Sequence, residues 1–239
     1  MNLQNLNPNF KVSIILSTYN EATVIEDTIN QILNNLNNVE IILVDDNSPD
    51  GTFEIVQKLK NPNVKAYKRN SRGLASAFLL GLINSSSNIV GWIDSNMGIL
   101  ANRLPEMIKN LNNYDIVILS RYIDGGADLR SKKRTLTSKF INFLCRFILS
   151  NKIKDYTSGI FVMNRSVLLS SVPIAYGHGE FFIEFLYRAL KSNVKITELP
   201  YSHPPDLEGI SKTASGIFNF CRLGLGYIVR VVQTLFLRN

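Results

Sequence analysis

Residues 12–21 are Val-Ser-Ile-Ile-Leu-Ser-Thr-Tyr-Asn-Glu, an apolar run followed at once by a polar segment. The first five are short and β-branched, as in a strand buried in a parallel sheet. Residues 41–51 repeat the arrangement, because Ile-Ile-Leu-Val is followed by Asp-Asp-Asn-Ser-Pro-Asp-Gly. Parallel α/β sheets bind ligands at the carboxyl ends of their strands. The two stretches therefore predict an α/β fold with a ligand site at that edge.

Strand-like runs continue to alternate with helical spacing along the chain. The predicted strands are 12–16, 41–44, 64–67, 89–93 and 115–119, and the predicted helices are 21–35, 52–59, 74–84 and 104–111. This alternation predicts a doubly wound, mostly parallel sheet that is flanked by helices. Further predicted elements are helices at 135–150 and 180–191 and strands at 160–163 and 195–201.

Polar segments follow four of these strands, and three of the segments contain acidic residues. They are residues 17–21, 45–51, 94–96 and 120–122. Grouped carboxylates can hold a divalent cation and the polar edges of a nucleotide. Asp94 carries this interpretation best, since a carboxylate stranded after a buried strand is costly without a partner. Asp50 and Asn20 are interpreted instead as caps of the helices that follow them.

Charge is concentrated in two parts of the chain. The formal net charge is +7; residues 121–154 contain nine basic and two acidic side chains, and residues 209–239 contain four basic and none acidic. The remaining residues are mildly acidic. A local polyanion or an anionic lipid surface fits this distribution better than general binding to nucleic acid, which we do not expect.

Both basic segments contain apolar helical patterns. In 135–150, Phe side chains alternate with Lys139 and Arg146, and in the tail Arg222, Arg230 and Arg238 recur every eight residues among apolar ones. Basic and apolar faces without acid predict amphipathic helices at an anionic membrane surface. Two alternatives remain open. Residues 130–134 would be a solvated basic loop, and the tail, like residues 135–150, would be a helix docked on the core or on a partner chain.

The compartment is predicted from three further features. Cys145 and Cys221 are neither a disulfide framework nor a metal site, which suits a reducing compartment. Residues 1–10 lack the apolar core of a signal peptide. No stretch reaches the ~18 uncharged apolar residues of a membrane span. We therefore expect a cytoplasmic protein, peripheral on the cytoplasmic face of a membrane.

Seven short motifs in order resemble family-2 glycosyltransferases, and among them the polyprenyl-phosphate (dolichyl-phosphate) mannosyltransferase group. The motifs are Ser-Thr-Tyr-Asn-Glu (17–21), Val-Asp-Asp-Asn-Ser-Pro-Asp-Gly-Thr (44–52), Arg-Gly-Leu-Ala-Ser-Ala (72–77), Ser-Arg-Tyr (120–122), Thr-Ser-Gly (157–159), Leu-Pro-Tyr (199–201) and Ser-Lys (211–212). The resemblance implies a nucleotide-sugar-binding, GT-A (Rossmann-like) catalytic domain over 1–215. Residues 216–239 would then form a basic amphipathic C-terminal helix.

The same resemblance implies roles for individual residues. Nucleotide-sugar contacts would come from Ser17, Tyr19, Glu21, Asp45, Asp46, Gly73, Asp94, Ser95 and Lys212. A divalent cation, Mg²⁺ or Mn²⁺, would be held by Asp94 and Asn96. The lipid phosphate would be held by Arg121, Lys132, Lys133 and Arg134, whose basic groups pair with phosphate oxygens. Asp94, Arg121 and Arg134 would be the catalytic residues.

The chain departs from the family pattern at three places. Ser17 stands where the family usually has Pro, and Asn96 stands where its Asp-x-Asp motif has the second Asp. Asp206 and Glu208 lie in a loop that usually supplies Arg. The loss of one carboxylate predicts weaker metal binding, and the acidic loop residues would repel a pyrophosphate if they faced it.

The activity implied is inverting transfer of a hexose, mannose first and glucose second, from GDP- or UDP-sugar to polyprenyl phosphate. A phosphate nucleophile is already ionised at neutral pH and needs no general base, which fits a chain with only two His. Two alternatives stay open. One is a family-2 transferase with a glycan or glycolipid acceptor; the other is a catalytically degenerate, nucleotide- or lipid-binding partner subunit, in contact with a membrane protein.

Overall fold

Seven strands form one sheet, and helices cover both of its faces. The structure, a computed structural model, describes residues 11–205 and 217–236. The strands are β1 Val12–Thr18, β2 Val39–Asp45, β3 Val64–Lys68, β4 Ile89–Trp92, β5 Ile116–Ser120, β6 Ala127–Asp128, β7 Phe161–Asn164, β8 Ile196–Pro200 and β9 Ser202–His203. The α-helices are α1 Ile25–Asn35, α2 Thr52–Lys58, α3 Leu74–Asn84, α4 Leu104–Asn110, α5 Lys132–Ile148, α6 Phe181–Lys191 and α7 Ile217–Phe236.

The sheet order is β3-β2-β1-β4-β7-β5-β8, and β7 runs antiparallel to both β4 and β5. The other neighbouring strands of this sheet are parallel. The mostly parallel sheet is therefore confirmed, but β5 is not the direct neighbour of β4. After β5 the chain forms α5 and then returns to the sheet as β7, which lies between β4 and β5. Because β7 is antiparallel to both, it begins at the edge where β4 and β5 end.

Side chains that alternate along the buried strands pack into two separate hydrophobic cores, one on each face of the sheet. Ile15 and Ile42 pack with α3 and α6 on one face, whereas Ile14 and Ile41 pack with α1 and α4 on the other. Because both faces are covered, these strands are apolar at nearly every position. The predicted strands and helices agree with the structure to within a few residues at each end. The 3-10 helices Gly98–Arg103 and Arg165–Leu169 and the small β6-β9 sheet were not predicted.

The helix α7 packs against α5 and α6. Its inner face buries Arg230, Val231 and Thr234, so the docked alternative for the tail is confirmed over this part. Arg230 therefore lies on the packed side of the helix and does not contribute to a membrane-facing basic side. The side chain of Arg222 and all of Arg238 lie outside the described residues. Among the described residues, no helix combines the length and apolarity needed to cross a bilayer.

Apolar side chains form a matching exposed stripe on each of the two packed helices. On α5 the stripe is Leu136, Phe140, Phe143 and Phe147, and on α7 it is Leu225, Val229, Val232 and Phe236. Both follow the spacing i, i+4, i+7, i+11, which places residues on one side of a helix. Phe147 and Phe236 are each 80% exposed. We call these eight residues the apolar stripes.

A buried carboxylate lies at the amino ends of the parallel strands and links neighbouring segments there by hydrogen bonds. Glu40 is 0% exposed and accepts hydrogen bonds from Ser13 Oγ at 2.5 Å and Ser86 Oγ at 2.8 Å. Lys65 Nζ lies 3.1 Å from its other oxygen. Burial alone would raise the pKa of Glu40, but these hydrogen bonds lower the pKa below its ordinary value of 4.5.

We expect Glu40→Gln to lower the free energy of unfolding by about 2–3 kcal/mol at neutral pH, because charge-assisted hydrogen bonds are lost. The ionised group stabilises the fold fully above its unfolded pKa, and the stabilisation disappears as pH falls through the lower folded pKa. Urea unfolding of both proteins at several pH values should thus converge in acid. Glu54→Gln, at an exposed ion pair, is the control and should change little. A pH-independent difference would contradict the assignment.

Candidate active site

The loop after β2 is built around a fully buried carboxylate. Asp45 is 0% exposed and accepts hydrogen bonds from Thr18 Oγ1 at 2.9 Å, the Ser48 amide at 2.8 Å and Ser48 Oγ at 2.5 Å. These bonds tie the end of β1 to the loop after β2. The carboxylate of Asp45 thus lies beneath the loop and accepts hydrogen bonds from protein donors, and its role as a nucleotide contact stays a prediction.

Asp46, in the same loop, is part-buried and organises the start of α3. Arg69 Nε donates to Asp46 Oδ1 at 2.5 Å, and the Gly73 amide donates to Oδ2 at 3.0 Å. Arg69 Nη2 also donates to the Gly73 carbonyl at 2.6 Å. The guanidinium of Arg72 stacks on the Tyr19 ring, 3.8 Å from its centroid, and bonds its hydroxyl. These residues bring the three predicted nucleotide-binding segments into one place.

Two predicted helix caps have different outcomes. Asp50 accepts hydrogen bonds from the Thr52 amide at 3.1 Å and the Ala22 amide at 3.0 Å, so its carboxylate caps the first amide of α2 from the position before the N-cap residue Gly51. Asn20 does not cap α1, which begins only at Ile25. Its φ is +58°, and its amide donates to Ser48 Oγ at 3.0 Å, so it turns the chain after β1. The predicted cap at Asn20 was therefore wrong. Ser17 and Glu21 lie part-buried on either side of this turn.

Asp94 stands at the end of β4, part-buried, and Trp92 Nε1 donates to its Oδ1 at 3.4 Å. Burial raises the pKa of the Asp94 carboxyl, and the nearby charges of His178, Arg121 and Arg130 oppose that rise. Ser95 is buried, and its carbonyl accepts a hydrogen bond from Thr28 at 2.7 Å, while Asn96 is exposed. The described residues contain no cluster of three or more His, Cys, Asp and Glu side chains.

Arg121 is 3% exposed and engaged with protein groups. Its Nε and Nη2 donate to the two oxygens of Asp155 at 2.8 and 2.7 Å, and Nη2 also bonds Thr157. Although burial disfavours the guanidinium, Asp155 holds the pKa of Arg121 above its ordinary value. Arg121 thus donates to Asp155 and Thr157 within the protein, and its predicted lipid-phosphate and catalytic roles stay predictions. The amide of Asp155 donates to Glu198 Oε1 of β8 at 3.0 Å, which holds Asp155 beside Arg121.

The other predicted phosphate-binding residues lie in the first turn of α5. Lys132 and Lys133 are exposed and Arg134 is half-buried. Arg130, just before them, donates to both oxygens of Asp128 and to Ser138. The basic segment is therefore the start of a long helix and not a solvated loop. Lys212, Asp206 and Glu208 lie outside the described residues.

His178, a loop residue that was assigned no role from the sequence, lies beside this site, since its neighbour Gly177 is bonded to the start of α3. It lies in the loop before α6 and acts electrostatically on Asp94 across more than 80 positions of sequence. The flanking Gly177 and Gly179 were the available signal, since two glycines around one side chain indicate a tightly packed backbone. The second histidine, His203, lies in β9, where burial lowers its pKa to about 4, so it is neutral near pH 7.

Solved structures share this fold. Glucosyl-3-phosphoglycerate synthase of Mycobacterium tuberculosis, in complex with Mn²⁺, UDP and phosphoglyceric acid, superposes with a TM-score of 0.73 at 18% identity, over 96% of this chain and 80% of that one. Mannosyl-3-phosphoglycerate synthase of Rubrobacter xylanophilus gives 0.71 at 19% identity, over 95% and 74%. These likenesses confirm the GT-A, Rossmann-like fold expected above.

Sequence relatives are closer. A dolichol-phosphate mannosyltransferase of Pyrococcus furiosus is 33% identical over 223 residues, which are 89% of this chain and 62% of that protein. This chain therefore spans less than two thirds of the length of that relative. A polyprenol monophosphomannose synthase of Mycolicibacterium smegmatis is 28% identical over 86% of this chain and 82% of that protein. Residues 13–170 match Glycosyl transferase family 2, and the chain belongs to that family.

Proposed function

We propose that this chain transfers a hexose, mannose first and glucose second, from a nucleotide sugar to polyprenyl phosphate at a membrane surface, with inversion. One observation carries the proposal. Asp94 follows β4 at the carboxyl edge of the sheet, and the chain that leaves β5 at the same edge leads into α5, which has a basic first turn and an exposed apolar stripe. A nucleotide cleft thus adjoins a surface suited to lipid. The two relatives are named for transfer to dolichol phosphate and polyprenol phosphate.

The donor would lie along the carboxyl edge of β1, β2 and β4. Tyr19, Glu21 and Asp46 would contact the base and ribose, with Ser17 and Gly73 beside them. Asp94 and Ser95 would lie at the diphosphate. Lys212, which lies outside the described residues, keeps its implied contact with the nucleotide sugar.

A divalent cation fits at Asp94 and Asn96. Within the described part of the chain, the one hydrogen bond to the Asp94 carboxylate is the 3.4 Å contact from Trp92. A bound cation would stabilise the charge of a part-buried carboxylate that accepts so few hydrogen bonds. Mg²⁺ sites need only one or two carboxylates when substrate phosphates supply further oxygens. When bound, the cation would neutralise the charge that develops on the departing diphosphate.

The first turn of α5 would receive the lipid phosphate. Cations are unfavourable at a helix N-terminus because the helix dipole is positive there. Lys132, Lys133 and Arg134 occupy that turn, which has no acidic residue. An anion bound among them would offset their repulsion of one another and their unfavourable interaction with the helix dipole. Arg134 would hold the attacking phosphate in line with the anomeric carbon, and the phosphate oxygen would displace the nucleotide diphosphate without a general base.

The apolar stripes would enter the interfacial region of an anionic membrane. Lys139 and Arg146 are exposed beside the stripe of α5, so they can reach lipid headgroups. Placing α5 and α7 at the bilayer would bring the phosphate of a membrane lipid to the start of α5. The location proposed is peripheral, on the cytoplasmic face.

The proposal is tested with a donor screen. Purified protein is incubated with labelled GDP-mannose or UDP-glucose, polyprenyl phosphate in vesicles, and Mn²⁺ or Mg²⁺. Sugar is expected in the organic phase as an acid-labile glycosyl phosphate. Transfer only to a soluble glycan or a glycolipid would favour the first alternative. Nucleotide binding without transfer from any donor would favour the partner-subunit alternative.

We expect Arg134→Gln to raise the KM for polyprenyl phosphate by roughly 10- to 100-fold, because a charge-assisted hydrogen bond to phosphate contributes about 1.5–3 kcal/mol. Lys132→Gln/Lys133→Gln should have a smaller effect that fades with added salt, since both side chains are exposed. The measurement is initial rate against lipid concentration. Lys152→Gln, an exposed cation beyond α5, is the matched control. An unchanged KM in Arg134→Gln would refute the assignment.

A further inference from the structure

The loop between the 3-10 helix Arg165–Leu169 and α6 is held in place from the C-terminal helix. Arg230 of α7 is 6% exposed, and its Nη2 donates to the carbonyl of Tyr176 at 2.9 Å. The same guanidinium lies over the Tyr176 ring, 6.0 Å from its centroid. A buried cation that bonds a distant backbone carbonyl, 54 positions away in sequence, is a specific tertiary contact.

The backbone of this loop is packed so closely that it requires glycine. Gly177 has φ of +106°, and a Cβ there would lie 2.5 Å from Glu180 Oε1 and 3.0 Å from Arg230 Nη2. A Cβ at Gly179 would lie 2.4 Å from the hydroxyl of Tyr227, which is also on α7. Two side chains of α7 therefore press against the two glycines that flank His178.

The other side of the loop contacts the nucleotide cleft. The amide of Ala75, in the first turn of α3, donates to the Gly177 carbonyl at 3.4 Å. Two residues earlier, Gly73 is bonded to Asp46. The loop thus spans from α7 to the start of α3, and His178 stands at its middle. The influence of His178 on the Asp94 carboxyl agrees with this placement.

We propose that Arg230 is a positioning residue that holds the loop 176–180 from α7 and thereby sets His178 at the edge of the nucleotide cleft formed by Asp46 and Gly73. The inference rests on the proposed function, because the loop would border the bound donor. It gives α7 a second role besides its exposed apolar stripe. The inner face of the helix supports the cleft, while the outer face is available to lipid.

The test compares Arg230→Met with Gln233→Met, an exposed position on the same helix. We expect Arg230→Met to lower kcat by roughly 10- to 100-fold, since misplacement of a site by about 1 Å costs on the order of 10²-fold. GDP affinity should fall as well. The KM for polyprenyl phosphate and the binding to anionic vesicles should stay unchanged, and Arg230→Lys should recover part of kcat. Gln233→Met should match the wild type.

A double-mutant cycle keeps the test decisive. Gly177→Ala perturbs the same contact from the loop side, so its loss should not multiply with that of Arg230→Met. Losses that multiply, an unchanged kcat in Arg230→Met, or a parallel loss of vesicle binding would overturn the inference. Absence of transfer by the wild type would instead overturn the proposed function. In that case GDP affinity of the same variants still tests the role of Arg230.

Discussion

Asp94→Asn is expected to lower transfer by about 10²–10³-fold, the loss typical of removing one electrostatic contact to developing charge. The substitution keeps the shape of a part-buried side chain and removes its charge. GDP binding in the presence of Mn²⁺ should weaken, whereas GDP binding without metal should change little. Asp124→Asn, at an exposed loop position, is the matched control. Full activity of Asp94→Asn would contradict the central role of this carboxylate.

The single tryptophan of the chain provides a direct readout of the same site. Trp92 donates to Asp94, so paramagnetic Mn²⁺ bound at that carboxylate should quench Trp92 fluorescence. The quenching should saturate in the wild type and require far more Mn²⁺ in Asp94→Asn. Asn96→Asp, which restores a second carboxylate, should shift saturation about tenfold lower, because ligand charge sets cation affinity. Equal quenching in all three proteins would place the cation elsewhere.

Phe143→Glu/Phe147→Glu is expected to reduce binding to anionic vesicles by at least about 10²-fold. Burying each Phe side chain contributes about 1.5–3 kcal/mol, and two charged groups replace them. The two rings stack on each other at 6.2 Å and are 59% and 80% exposed, so the change should not disturb the core. The measurement is co-sedimentation with vesicles that contain anionic lipid.

The matched control for this pair is Ile99→Glu. Ile99 is 68% exposed in the 3-10 helix Gly98–Arg103, which packs with α1 on the opposite face of the sheet. It should leave vesicle binding unchanged. Transfer to a short, water-soluble polyprenyl phosphate should survive in the Phe variant, because the cleft is intact. Unchanged sedimentation of that variant would show that the apolar stripes do not face lipid.

Much of the fold could be predicted because its signals are local. The apolar runs at 12–16 and 41–44 show period and length, and both properties belong to consecutive residues. The antiparallel course of β7 could not be predicted in this way. Its four residues have the pattern of any buried strand, and its direction follows from the path of the chain through α5.

The candidate site was predicted less completely than the fold, because the sequence did not indicate the protein partners of its residues. Asp45 and Arg121 stand at strand ends, as expected of ligand-binding residues, and in the structure both are hydrogen-bonded to protein groups. The partner of Arg121 is Asp155, 34 positions away, and Thr18 bonds Asp45 across 27 positions. The residues next to Asp45 and Arg121 in sequence do not indicate that Thr18 and Asp155 are their partners.

The sequence by itself determined where strands and helices alternate, which polar segments meet at one edge of the sheet, and that charge and apolar groups share α5. Tertiary structure decided which of those groups remain available to a ligand. It buried Arg230 against Tyr176 and left the apolar stripes outside, whereas the sequence pattern had grouped Arg230 with a basic face of the tail helix. The physical reason is that periodicity is set by neighbours along the chain, whereas the environment of a charge is set by residues that only folding brings near it.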